Sequence, residues 1–253
     1  MKAIDLNCDM GESFGRYVLG TDEVLMDYVS SINLACGFHA GDPLVMQRTV
    51  EMAVKKKVAI GAHPAYPDLQ GFGRRFMEMS AEEVEAMVLY QLGALWGFVK
   101  VAGAELIHVK PHGALYNRAA QDIKTARAIA SAVRRFSKML ILVGLANSAL
   151  VQVGQEIGLK TANEGFVERG YQEDGSLIPR GQKGDLIHDP RVAAQQAVRL
   201  ATEGIAMQVS GHSVEVKVDT LCIHGDSPQA VSIVKAVRSA LEEAGLEIRG
   251  MYR

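Results

Sequence analysis

The stretch Leu106-Ile-His-Val-Lys-Pro-His112 decides the fold. Neighbouring residues of an extended chain point to opposite faces. Ile107 and Val109 therefore share one face, and His108, Lys110 and, if the alternation persists, His112 share the other. The run Ala3–Cys8 repeats the pattern, with Ile4, Leu6 and Cys8 set against Asp5, Asn7 and Asp9. Near the far end, Leu221 and Ile223 alternate with Cys222, His224 and Asp226. A barrel strand has one side under helices and the other lining the interior, so the ionisable face is expected to point inward. An unpaired buried charge costs several kcal/mol or more, so such a face must be internally paired or used. Three strands ending in the same chemistry point to a site at the C-terminal ends of the strands, where barrel enzymes build theirs.

Outward from these runs, short apolar segments alternate with helical patterns along the whole chain. Strands are expected at Ala3–Cys8, Ile32–Cys36, Val58–Ala62, Leu106–Val109, Met139–Val143, Leu159–Asn163 and Thr220–His224. Asp42–Pro43, Asp189–Pro190 and Ser227–Pro228 each offer a cap followed by proline at the first helical position. Ser80 with Glu83 forms a capping box, and Gly158 and Gly245 fit helix stops. This strand–helix alternation predicts an α/β fold with a parallel sheet. The polar residues follow many strands rather than one switch point, which favours a barrel over an open sheet. Seven clear strands predict a distorted, seven-stranded parallel β/α barrel, one domain spanning residues 1–253. Ile205–Val218, alternating around Gly211, reads as an inserted hairpin.

The bulk properties narrow the class. Of 253 residues, 48% are hydrophobic, enough for a large core, and the net charge of −2 argues against nucleic acid or an anionic membrane as partner. The first residues show no secretory signal pattern, and no membrane-spanning run is expected. Cys8, Cys36 and Cys222 are odd in number and sit in apolar runs, which fits reduced, buried thiols and a cytoplasmic location.

Several motifs carry candidate chemistry. In Asp5-Leu-Asn-Cys-Asp-Met-Gly-Glu12, Asp9 and Glu12 lie past the strand as a base, a metal ligand or an orienting carboxylate. Asn33-Leu-Ala-Cys-Gly-Phe-His-Ala-Gly-Asp42 holds His39 between two glycines, ahead of a helix N-terminus. His63 ends the third strand, and a Gly/Pro-rich loop then leads to Arg74 and Arg75, either of which could grip a carboxylate or phosphate. Lys110 and His112 are two apart and can reach the same space. Lys110 is expected to pair with Asp5 or Asp9. His224 and Asp226 close the last strand. The catalytic candidates are thus Asp9, His39, His63, Lys110, His112, His224 and Asp226, with Asn7, Glu12, Arg74 and Arg75 as substrate-binding candidates. The polar loop Glu164–Arg180 reads as a lid or a partner surface. The four strand-end histidines could hold a metal, yet no HxxxH, HExxH or CxxC spacing supports one, so metal use stays open.

Taken together, DLNCDMGE, NLACGFHAGD, GAHPAYPD, VKPHGALYN and IHGDSP resemble the motifs of the LamB/YcsF lactam-utilisation family, from Asp5 to Asp226. That family is similar to the A component of bacterial 5-oxoprolinase, and its fold resembles the glycoside hydrolase/deacetylase barrel. The resemblance implies one subunit of an enzyme that opens 5-oxo-L-proline to L-glutamate at the expense of ATP, with two further subunits as partners. No GxxxxGK[ST] motif is present, so ATP binding is expected mainly in the partners. Self-association stays open. Two other readings compete: a metal-dependent deacetylase or amidohydrolase acting alone, and a non-catalytic 5-oxoproline-binding subunit.

Overall fold

A computed structural model describes residues 2–208, 211–225 and 227–251. The elements run β1 (Ala3–Met10), α1 (Asp22–Leu25), β2 (Ser31–Ala35), α2 (Pro43–Lys56), β3 (Ala59–His63), α3 (Ala81–Val101), β4 (Leu106–Val109), α4 (Gly113–Gln121), α5 (Ile123–Phe136), β5 (Ile141–Leu145), α6 (Ala149–Glu156), β6 (Lys160–Phe166), α7 (Pro190–Glu203), β7 (Ile205–Met207), β8 (Ser213–Glu215), β9 (Thr220–Ile223), α8 (Ala230–Glu243) and β10 (Glu247–Ile248).

Strands β1 to β6 pair in sequence order, β6 pairs with β9, and β9 pairs back onto β1, all in parallel. The result is the closed seven-stranded barrel that the sequence predicts, ringed by helices. β10, which no sequence pattern announces, adds alongside the start of β1 through Ala3↔Glu247 and Ile4↔Ile248. The inserted hairpin is present as β7 paired antiparallel with β8.

A closed parallel sheet is covered on both sides, and β1 accordingly is buried from Ile4 to Met10. Its outward set, Leu6, Cys8 and Met10, is wholly inaccessible under the helices. Each large apolar side chain so buried contributes roughly 1.5–3 kcal/mol. The caps act where the sequence places them: Asp42 accepts from the backbone N–H groups of Leu44 and Val45, Asp189 from that of Arg191, and Ser80 with Glu83 closes a full capping box. Ser227–Pro228 is the exception. α8 starts only at Ala230 with Gln229 at its cap, and the buried Ser227 hydroxyl has no hydrogen-bond partner among the described residues. The long helix α3 is apolar enough to cross a membrane by length and composition. Here it packs beside α5 and buries Val84, Met87, Val88, Leu92, Leu95 and Val99. Cys8, Cys36 and Cys222 are buried free thiols.

Candidate active site

The inward face of the strands builds polar layers. In the deepest, Asp5 accepts hydrogen bonds from the hydroxyls of Ser30 (2.7 Å), Ser31 (2.9 Å) and Thr220 (2.5 Å). No cation joins this set among the described residues, and burial pushes the Asp5 carboxyl up to about 6 in spite of the hydroxyls. Above it, the Asn7 amide donates to Glu164 (3.1 Å) and Thr220 (2.7 Å), and that of Asn33 to Asn7 (2.7 Å) and Asp9 (2.8 Å). His108 Nε2 meets Asn33 Oδ1 at 2.8 Å. Burial, then the nearby Lys110 charge, push His108 down to about 3, so its ring is neutral. Gly61 makes room for that ring: a Cβ there would lie 2.0 Å from His108 Nε2.

Lys110 stands one layer higher. The register links Asp9 to Asn33, Asn33 to Gly61 and Gly61 to His108. The lysine two residues beyond His108 therefore clears the level of Asp5. Its ammonium donates to Asp9 Oδ1 at 3.0 Å and lies 2.8 Å from Glu164 Oε1, with Cys222 Sγ at 3.0 Å and Asn7 Oδ1 at 3.4 Å. Of the two expected acids, Asp9 is the partner, and Glu164 stands where Asp5 was the alternative. Burial alone would lower the Lys110 pKa, but Asp9, Cys222 and Glu164 hold it well above its ordinary value. Burial alone would likewise raise Asp9; His63 and Lys110 outweigh it and keep this carboxylate ionised well below the usual range.

These groups open onto a cavity of about 550 Å³ at the C-terminal ends of the strands. Asp9, His63, Lys110, His112, His224 and Arg74 all line it. His39 lies fully buried behind His112, the rings stacked with centroids 3.9 Å apart and 7° between their planes. His39 Nε2 reaches Glu12 at 3.2 Å. Burial, then the neighbouring imidazoles, push both His39 and His112 well below the ordinary histidine value. Glu12 thus sits among imidazoles, and Asn7 is an interior connector beneath the cavity. Arg74 packs over the Phe72 ring, 5.0 Å from its centroid. Arg75 takes no part in the cavity wall: its guanidinium is committed to Asp68, which also accepts from the Gly71 and Arg75 N–H groups. Asp226 lies outside the described residues.

The structure adds groups that the sequence patterns do not single out. Glu168, just past β6, accepts from the His224 backbone N–H (2.7 Å) and meets His224 Nδ1 at 2.5 Å. This fixes the ring, which stacks on Phe166 with centroids 5.6 Å apart. Glu164, wholly buried, also accepts from the Tyr116 hydroxyl at 2.7 Å. The expected loop begins later than Glu164, since β6 runs on to Phe166, and the segment from there to Arg180 folds over one side of the cavity. Arg169 pins it by donating to the backbone carbonyls of Asp185 (3.0 Å) and Ile178 (2.6 Å). Two groups of side chains have donor atoms within 4.8 Å of one another, as a metal ion requires: Glu12, His39, His63 and His112, and Asp9, Cys222 and His224. Two members of the second, Asp9 and Cys222, already hold the Lys110 ammonium. The arrangement can take up a proton on a carboxylate-backed imidazole and hold a carboxylate ionised beside a cation.

The LamB/YcsF family model matches residues 4–253. The A component of 5-oxoprolinase from Tolumonas auensis is 55% identical over 251 residues, covering 99% of this chain and 100% of that protein. The protein of the same name from Pyrococcus abyssi is 49% identical over 245 residues, covering 97% and 96%. The crystal structure of a lactam utilization protein from Thermus thermophilus superposes with a TM-score of 0.94 at 49% identity, covering 98% of this chain and 99% of that one. The chain belongs to the LamB/YcsF family.

Proposed function

We propose that this chain is the ring-opening subunit of an ATP-coupled 5-oxoprolinase that works in the cytoplasm with two further subunits. The carrying observation is that the Glu168-backed His224 and the Lys110–Asp9–Glu164 cluster face one cavity. The names of the relatives supply the substrate class.

A five-membered lactam is a resonance-stabilised amide, so water attacks its carbonyl slowly. Phosphorylation of the lactam oxygen, carried out by the partners at the expense of ATP, turns that carbon into an electrophile. Water then forms the new C–O bond. Its proton passes to His224 and on to the ring nitrogen, and the C–N bond breaks to give the γ-acyl phosphate of glutamate; a second water then hydrolyses this acyl phosphate, releasing phosphate and L-glutamate. Glu168 holds the His224 ring and balances its charge while it carries the proton, the role a buried carboxylate plays behind a catalytic imidazole. Lys110 faces the activated oxygen. Its contact with Cys222 Sγ is the one an incoming oxygen would replace, leaving Asp9 and Glu164 to hold the ammonium. Arg74, at the rim, receives the substrate carboxylate.

The test is glutamate release from 5-oxoproline and ATP by this chain with and without its two partners. The expected result is turnover in the complex that His224→Gln removes, and little by the chain alone. Rapid ATP-dependent release by the lone chain would refute the division of labour, and an undiminished rate in the His224→Gln complex would refute the site.

A further inference from the structure

We propose that Glu12, His63 and His112 form a site for a divalent transition-metal ion of the zinc class. The inference stands on hydrogen-bond counting and charge, independently of the 5-oxoproline reading.

His63 Nδ1 lies 2.7 Å from the Lys110 carbonyl oxygen, and His112 Nε2 lies 2.8 Å from that of Phe72. A carbonyl oxygen only accepts, so both outer ring nitrogens must carry the protons. These two inner atoms, His63 Nε2 and His112 Nδ1, are 3.0 Å apart, so they are two bare lone pairs when both rings are neutral and share a single proton when His63 is charged beside Asp9. Two lone pairs at that distance repel unless a positive centre lies between them. Glu12 Oε1 stands 3.8 Å from His112 Nδ1, and its donor atom, His63 Nε2 and His112 Nδ1 fall within 4.8 Å of one another. Bonds of about 2.0–2.2 Å to one ion span ligand separations of this size after shifts of a few tenths of an ångström.

Charge points the same way. Asp9 and Glu12 bring two carboxylates to the two imidazoles, and Asp9 Oδ2, 3.3 Å from His63 Nε2, faces the same spot. A cation set there is attracted by both, and a divalent ion gains twice what a shared proton would. Tying the far nitrogen of each imidazole to a backbone carbonyl is how proteins fix the tautomer and aim of metal-binding histidines. Phe72 is held at φ 55, a left-handed conformation that costs a residue with a side chain about 1–2 kcal/mol, and its carbonyl meets His112. His39 is not assigned as a ligand. Its ring lies parallel to that of His112, so one ion cannot lie in both ring planes; it orients Glu12 instead. Two imidazoles and one carboxylate leave coordination positions open toward the cavity, as in sites that use the ion rather than bury it.

The test strips the purified chain with a chelator and titrates it with Co²⁺ and Zn²⁺, reading the Co²⁺ absorption spectrum and the bound metal by mass spectrometry. The proposal expects one ion per chain. It expects binding roughly 100-fold weaker or worse in His63→Gln and His112→Gln, since even outer partners of metal ligands cost 10–100-fold, and unchanged binding in His224→Gln. Because the ligand variants could misfold, the Co²⁺-loaded wild-type chain supplies a second readout: paramagnetically shifted ring N–H signals from two imidazoles in the proton NMR spectrum. Absence of stoichiometric binding by the folded chain, together with a far-downfield proton shared by His63 and His112, would overturn the proposal. So would binding that both variants leave intact.

Discussion

Asp5 and Asp9 lie on one strand, on one face, four residues apart, and live in opposite worlds. Asp5 is caged by three hydroxyls, and burial drives its carboxyl up to about 6. Asp9 is as deeply enclosed, yet His63 and Lys110 keep it ionised. The contrast teaches that burial and inward parity do not by themselves make a catalytic carboxylate. What separates the two is a cationic neighbour and a cavity wall. The lower layer ties Asp5 to three hydroxyls and carries the barrel; the upper layer holds charge in readiness.

The severest way to break this contrast is Lys110→Met. It leaves Asp9 and Glu164 buried without their ammonium, which is expected to destabilise the chain by about 3–5 kcal/mol. Turnover of the complex should fall by roughly 10²-fold or more. Urea titration and glutamate release from the folded fraction measure the two effects separately.

His224→Gln touches the cavity without touching the interior network. Its side chain is partly exposed, so the melting temperature should barely move while turnover falls by roughly 10²–10⁴-fold. Glu168→Gln should fall between this variant and the wild type, because the amide can still orient the ring but no longer balances its charge.

The lower layer has its own pH signature. Asp5 holds its proton in the folded chain up to about pH 6, whereas the unfolded chain releases it near 3.8. Stability carried by this group is therefore present at low pH and lost as pH rises from about 4 to about 6, by up to about 3 kcal/mol. Asp5→Asn cannot lose that proton. Urea titrations across this range should show the wild type weakening relative to the variant. His108, neutral down to about pH 3 in the fold, works in the other direction and weakens both chains equally as pH falls below 6.5. A constant difference between the two chains across the range would contradict the hydroxyl-cage account.

Gly61→Ala is the mildest perturbation. The added methyl would press on the His108 ring, and overpacking of this kind costs about 1–3 kcal/mol. Thermal melting should register it, with turnover per folded chain changed little, because the strain falls below the cavity.

Much of this is legible in the sequence because strand parity is a strict geometric rule. The alternation through Asp5, Asn7 and Asp9 and through His108 and Lys110 places those side chains inside without any coordinates. The seven strands are readable because each is a compact apolar run. β10 is not, since two residues carry no period. Glu164 escapes although Ala162, Glu164 and Phe166 share a face, because the glycines and charges after it make the segment look like loop from Glu164 onward. Glu168 and the Arg75–Asp68 pair depend on the paths of irregular segments, which no periodicity encodes. The late start of α8 shows the same limit: Ser227–Pro228 has the chemistry of a cap, but the chain turns once more before the helix begins.

The most direct test sets Asp9→Asn beside Asp5→Asn in the reconstituted complex and compares glutamate release per folded chain. The account predicts a fall of roughly 10²-fold or more for Asp9→Asn and a rate close to that of the wild type for Asp5→Asn. Equal losses in the two variants, or full activity in folded Asp9→Asn, would contradict it.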